Sequence, residues 1–209
     1  MKTWIFAGAA AAAATLSLTA AAPVARPAEP AIGALATDFS ARDASGRIVW
    51  LHDFKGKTVV LEWNNPGCPF VKKHYSSGNM QKAQAAAAAD GVVWLTINSG
   101  AAGQQGHMDG RQAQAFVTAE KAKPAHYLLD PLGLVGKAYG AKTTPHMYII
   151  DKTGRLVYRG GIDDKPTADT ADIPAARNHV LAALGELKAG KPVSVPDTRP
   201  YGCSVKYAG

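Results

Sequence analysis

Two continuous apolar runs, residues 58–64 (TVVLEWN) and 91–98 (GVVWLTIN), enclose a stretch of strong helix formers at residues 80–89, and this arrangement restricts the fold more than any other feature of the chain. A run rich in β-branched and aromatic residues, with no polar alternation, predicts a strand buried on both faces. Two such strands joined through a helix form a β-α-β unit, with parallel strands and helices packed on the sheet. The alternation continues beyond them. Residues 112–123 read as a helix, 127–129 as a short strand and 133–139 as a helical turn or two. Residues 147–150 and 156–158 flank the turn Asp151-Lys152-Thr153-Gly154 as a hairpin. A last helix is expected from about Pro174 to Gly190, with Val180, Leu181, Leu184 and Leu187 at one-face spacing. With a further β-rich run at 47–51, the predicted architecture is α/β: three layers, a central mixed sheet flanked by helices.

The amino terminus sets the compartment in which this fold would work. Lys2 is followed by an uncharged, alanine-rich stretch and then by small residues at Ala20, Ala21 and Ala22, the pattern of a cleavable signal peptide over residues 1–22. Residues 23–34 (PVARPAEPAIGA) read as a flexible leader, residues 35–190 as the folded domain and residues 191–209 as a tail. Export to the periplasm or the outside is the expectation, with no stable membrane span left after cleavage. The net charge of +7 is spread along the chain without an arginine-rich run, which argues against nucleic acid as a partner. An oxidising compartment matters because the chain has only two cysteines, too few for a disulfide-stapled scaffold or a four-cysteine zinc site.

Cys68 stands at a strand-to-helix junction, in Pro66-Gly67-Cys68-Pro69, with Pro69 where the first turn of a helix tolerates proline. A thiol there faces unpaired backbone amides and the positive end of the helix dipole, both of which favour thiolate, and Lys72 and Lys73 follow one turn on. The plain alternative is a buried, inert cysteine.

The segments WNNPGCPFVKKHY, after the strand VVLEWN, and TTPHMYIIDKTGRLVYRGGID resemble the thioredoxin-like superfamily, in its redoxin (alkyl hydroperoxide reductase/thiol-specific antioxidant) domain and the peroxiredoxin-like branch of it. The resemblance runs from about Leu35 to Tyr207 and implies a thioredoxin-like fold with thiol-dependent oxidoreductase activity. It implies that Thr144-Pro145 is a cis-proline loop lying against Cys68, and that Glu62 matches a buried acid that relays protons to and from the cysteines. Departures are specific. Val71 stands where C-x-x-C would place a second cysteine, and the peroxiredoxin pattern P-x-x-x-T-x-x-C is replaced by Leu61 and Asn65. These rank disulfide exchange ahead of peroxide reduction.

Cys68 is therefore the expected nucleophile, and Cys203, in the tail RPYGCSVKY, the candidate resolving thiol, since an oxidised cysteine normally needs a second thiol. Two other readings of Cys203 stay open: pairing between subunits or with a partner, or a free thiol pinned by Tyr201 and Tyr207. Glu62 is expected to be either a buried general base of raised pKa or a solvated strand residue. Thr144, Pro145, His146 and Pro69 are the candidate substrate-binding residues, with His146 otherwise a satisfied surface histidine. The expected partners are a protein or small-molecule disulfide, or a peroxide, and a thiol reductant of unknown identity; no cofactor or metal is assigned. Copper handling is a rival reading through Cys68, Cys203, His107 and His146, although Lys72 stands where C-x-x-x-C would need a cysteine. A binding module without turnover is another.

Overall fold

The computed structural model of the chain describes residues 29–208 together with Met1 and Thr3. The remainder of the signal segment, and residues 23–28 of the leader, lie outside the described residues. Seven strands form one mixed sheet: β1 (Ser40–Asp43), β2 (Ile48–Trp50), β3 (Val59–Trp63), β4 (Val93–Asn98), β5 (His126–Leu129), β7 (His146–Ile150) and β8 (Leu156–Gly160), in the order β2-β1-β5-β4-β3-β7-β8. The two apolar runs are its centre, β3 and β4, paired parallel with Glu62 opposite Thr96. β4 pairs parallel with β5, while β7 lies antiparallel to β3 on the other side. Helices α1 (Pro69–Ser76), α2 (Asn79–Ala89), α3 (Gly110–Ala119), α4 (Leu134–Tyr139) and α5 (His179–Lys188) complete the layers. The expected three-layer α/β architecture is the one observed.

Period-two alternation along β3 divides the core. Val59, Leu61 and Trp63 face Leu95, Ile97, Tyr148 and Tyr139. Val60 faces the other way, against Val71 and Tyr75 of α1, Met80 and Ala83 of α2, and Val180 and Leu184 of α5. Cys68 belongs to this second layer.

Two expectations need correction, and the place of the tail becomes specific. The leader does not stay loose up to residue 34: Glu29 pairs with Arg159 at 3.2 Å, the Gly33 amide donates to the Leu156 carbonyl at 2.7 Å, and Ile32 packs on the core. The last helix does not begin at Pro174. That proline lies in a 3-10 turn, Thr170–Ala175, and α5 starts only after Asn178, whose Oδ1 accepts the Leu181 amide at 2.9 Å. The tail, residues 191–209, folds back across the domain. Thr198 exchanges hydrogen bonds with the end of β8, and a two-residue strand β9 (Cys203–Ser204) pairs antiparallel with β6 (Thr143–Thr144). Glycine makes that approach possible: a Cβ at Gly202 would lie 2.0 Å from the Thr144 carbonyl oxygen, and its φ of +128° suits no other residue. No described helix is long and apolar enough to cross a membrane.

Candidate active site

Cys68 is the N-cap of α1, with extended backbone and Pro69 at the first helical position. The loop before it is fixed by Asn65, whose side-chain Oδ1 accepts the Gly67 amide at 2.9 Å and whose Nδ2 donates to Gln105 Oε1 at 3.0 Å. Asn65 thus spends its polar atoms on the loop. The Cys68 thiol is fully buried and donates to the Thr144 carbonyl at 3.1 Å. Thr144 precedes Pro145 through a cis peptide bond, as the resemblance implied.

β9 brings in the second sulfur. Thr144 is the register partner of Cys203, so the residue that receives the Cys68 thiol also carries the tail cysteine across its backbone. Both thiols are free, and each shifts the acidity of the other. Their acidities are pushed apart. Burial works against the Cys68 thiolate, but the Cys203 thiol, the Val71 amide and Thr144 outweigh it and bring the Cys68 pKa below the usual thiol value. Burial and the neighbouring Cys68 push Cys203 up to about 12. Of the two thiols, Cys68 is the more acidic.

Glu62 is wholly buried, which removes the solvated alternative. Its Oε1 accepts from Tyr75 Oη at 2.7 Å and Asn64 Nδ2 at 3.1 Å; its Oε2 accepts from Trp94 Nε1 at 2.8 Å, Thr96 Oγ1 at 3.1 Å and Gln84 Nε2 at 3.2 Å. Desolvation raises its pKa against the pull of those five donors. Tyr75 belongs to α1, so the carboxylate ties the cysteine-bearing helix to the central strand. None of its hydrogen bonds goes to a sulfur.

His146 is buried, not a surface histidine. It pairs in register with Trp63, and its ring packs 4.5 Å from that of Tyr148, on the sheet face opposite Cys68. Burial pushes it down to about 3, so it is neutral, and it accepts from the Lys142 amide at 3.3 Å. Pro69 is exposed at the rim of the site. Among the described residues, no group of three or more His, Cys, Asp or Glu is placed to hold a metal ion.

Sequence reasoning missed the anchor of the tail. Tyr201 donates to Asp163 Oδ1 and sits 3.2 Å from His74 Nε2. Asn79 Nδ2 approaches His74 Nδ1 at 2.8 Å, which leaves the ring proton on Nε2, directed at Tyr201. Buried Lys73 donates to the Lys165 carbonyl at 2.8 Å, with its Nζ 6.0 Å from the centre of the Tyr201 ring. The signal available was RGGID: Gly160 and Gly161 leave room for Thr198 and Tyr201, and Asp163 receives the tail.

With this geometry in hand, the chain can be set beside known proteins. The AhpC/TSA family matches residues 32–159. No curated protein matches the sequence. Among solved structures, a hypothetical protein from Sinorhizobium meliloti 1021 shares 28% identity over 86% of this chain and 96% of its own, with a TM-score of 0.71. An uncharacterized conserved protein from Geobacillus kaustophilus shares 29% identity over 85% and 93%, also at 0.71. A putative thiol:disulfide interchange protein DsbE from Chlorobium tepidum has 24% identity over 63% and 85%, at 0.52, a likeness of fold.

Proposed function

We propose that this chain, which belongs to the AhpC/TSA family and has the thioredoxin-like fold, is an exported thiol-disulfide oxidoreductase that uses Cys68 as nucleophile and Cys203 as resolving thiol. One observation carries the reading: β9 sets Cys203 opposite Thr144, on whose carbonyl the Cys68 thiol rests. Export rests on the signal-like first 22 residues.

In this reading the tail lifts and the Cys68 thiolate attacks an external disulfide RS–SR′. A Cys68–SR bond forms, and R′S⁻ leaves with the electron pair of the broken S–S bond. The tail then returns, Cys203 gives up its proton to solvent or to the departing thiolate, and its sulfur attacks Cys68 Sγ. This expels RS⁻ and leaves the Cys68–Cys203 disulfide. The substrate has gained two electrons and the protein has lost two. Pro69 and the Thr144-Pro145 loop form the rim against which a substrate would lie, and Glu62 is a positioning group that holds α1 through Tyr75.

Family membership favours a second reading in which the oxidant is a peroxide, giving a Cys68 sulfenic acid that Cys203 resolves with loss of water. Stopped-flow oxidation of the reduced protein by hydrogen peroxide and by a model disulfide separates the two. Disulfide exchange is expected to be faster, with non-reducing mass spectrometry finding the Cys68–Cys203 linkage in wild type and none in Cys203→Ser. Rapid reaction with peroxide alone would reverse the ranking, and two free thiols after oxidation would overturn the resolving role.

A further inference from the structure

The cycle above ends with a disulfide that must be reduced, and the surroundings of the two sulfurs differ in what they admit. Cys68 is fully buried while the tail is docked, and Cys203 is only half-buried. Beside Cys203 lies a cavity of about 620 Å³, the size of small-molecule sites in general. Gly202 and Thr143, the residues immediately before Cys203 and Thr144, form part of its wall.

The rest of that wall carries both signs of charge. Arg199 lines it and makes no hydrogen bond or ion pair through its side chain among the described residues. His179, the first residue of α5, adds an imidazole at the positive end of a ten-residue helix. Asp163 and Asp164 supply the opposite sign. Asp163 is buried and turned to the tail anchor, with Oδ2 3.9 Å from His74 Nε2, whereas exposed Asp164 uses only Oδ1 among the described residues, on the Arg177 amide at 2.9 Å. An uncommitted guanidinium, on Arg199, and an uncommitted carboxylate oxygen, on Asp164, in one cavity suit a ligand bearing both an anion and a cation.

We propose that this cavity docks the reductant, a small thiol carrying both an ammonium and a carboxylate group, and that the docked thiol attacks Cys203. The inference rests on the Cys68–Cys203 disulfide of the proposed function. The incoming RS⁻ forms an RS–Cys203 bond, the Cys203–Cys68 bond breaks, and its electron pair leaves on Cys68. A second RS⁻ attacks the outer sulfur of the mixed disulfide, releasing RSSR and the Cys203 thiolate, which takes up a proton. Two thiols are oxidised to one disulfide as the protein gains two electrons. Attack at Cys203 also expels the more acidic of the two thiols, the better leaving group.

The test uses the full-length oxidised protein, reduced glutathione as the zwitterionic probe and 2-mercaptoethanol as the uncharged one. Asp164→Asn/Arg199→Gln removes exposed charges from the cavity, and the asparagine keeps the carbonyl that accepts the Arg177 amide. The double variant is expected to lose about fivefold to tenfold in the second-order rate with glutathione, the scale of two partly exposed charge contacts. Its rate with 2-mercaptoethanol should stay within about twofold of wild type, since that thiol makes no such contacts. Acid-quenched peptide mapping should find the glutathione adduct on Cys203. Equal changes for both thiols, no change for either, or an adduct on Cys68 would overturn the proposal. In those cases the disulfide has formed and the proposed function stands; failure of the disulfide to form at all overturns both.

Discussion

The two cysteines touch the same residue of backbone, yet they are held by different forces. Cys68 is carried by α1, whose Val71 and Tyr75 are buried in the apolar layer over β3, and the carboxylate of Glu62 ties that helix to the sheet. Cys203 is carried by a strand of two residues, fixed by backbone pairing with β6 and by polar contacts from Tyr201, Asp197 and Tyr207, with Tyr201 and Cys203 only partly buried against the apolar layer. Apolar burial opens only with the fold, whereas a polar strap on a solvent-facing edge can open below the global unfolding energy. A relay between an external disulfide and an internal one needs one sulfur of each kind: a fixed nucleophile and a resolving thiol that can leave and return.

The largest effect should come from removing the strap. Truncation before Asp197 deletes β9 and the Tyr201 anchor but no strand of the seven-stranded sheet. Alkylation of Cys68 by iodoacetamide is expected to rise by about 1000-fold, equivalent to ~4 kcal/mol of docking, with the circular dichroism of the domain retained. An unchanged rate would mean that the domain itself shields the thiol, and the contrast between the two sulfurs would collapse.

A second prediction concerns pH. Burial, with help from Lys73 and against the attraction of Asp163, pushes His74 down to about 4. The groups facing it are Tyr201 of the tail, Asp163 of the loop after β8, Asn79 of α2 and Lys73 of its own helix; of these, Tyr201 accepts its Nε2 proton. The folded pKa is below the unfolded value of about 6.5, so the unfolded chain binds more protons between the two. Stability from this group is therefore complete above about pH 6.5, falls as pH drops toward about 4, and is flat below that. The loss is on the order of 3 kcal/mol. His146, pushed down to about 3, acts in the same direction and extends the slope further. Denaturant melts across that range should show the decline in wild type and a shallower one in His74→Gln. Parallel slopes would remove His74 from the anchor.

The difference between the two regions also explains which parts of the structure were legible beforehand. The strands β3 and β4 and the start of α1 at Cys68-Pro69 follow from local signals, apolar runs and a proline where a helix begins, whereas the loop Thr144-Pro145 follows from the family resemblance. The strands β1, β6 and β9 were not legible, because none has an apolar pattern and each exists through its pairing partner. Asp163, His74 and Tyr201 are 127 residues apart at their extremes, and nothing local marks three polar side chains as one network. Pro174 reads as a helix start, but it lies in a 3-10 turn, and α5 begins only after Asn178. The burial of His146 likewise came from the tertiary packing of Trp63 and Tyr148, which sequence spacing does not reveal.

The smallest predicted effect falls on the fixed sulfur's side and should leave the tail alone. In Glu62→Gln the amide keeps one oxygen, and its best placement puts that oxygen where Oε2 accepts from Trp94, Thr96 and Gln84. The new NH₂ then faces Tyr75 and Asn64. The tyrosine hydroxyl can turn to accept, but the Asn64 N–H loses its partner, so the cost is about 2 kcal/mol from one orphaned buried donor and a weakened α1 tether. Because burial raises the Glu62 pKa, the folded wild type takes up its proton before the unfolded chain does as pH falls. Wild type gains stability over that window and the glutamine variant does not, so the penalty should grow toward lower pH. Hydrogen exchange separates the two regions: the variant should lower protection at the centre of β3 while the Val205 amide, which donates to Lys142 from the tail, keeps its wild-type rate. Loss of protection at Val205 equal to that in β3 would show that the tail opens only with the whole fold, and the docked strap would then be part of the core and not a movable arm.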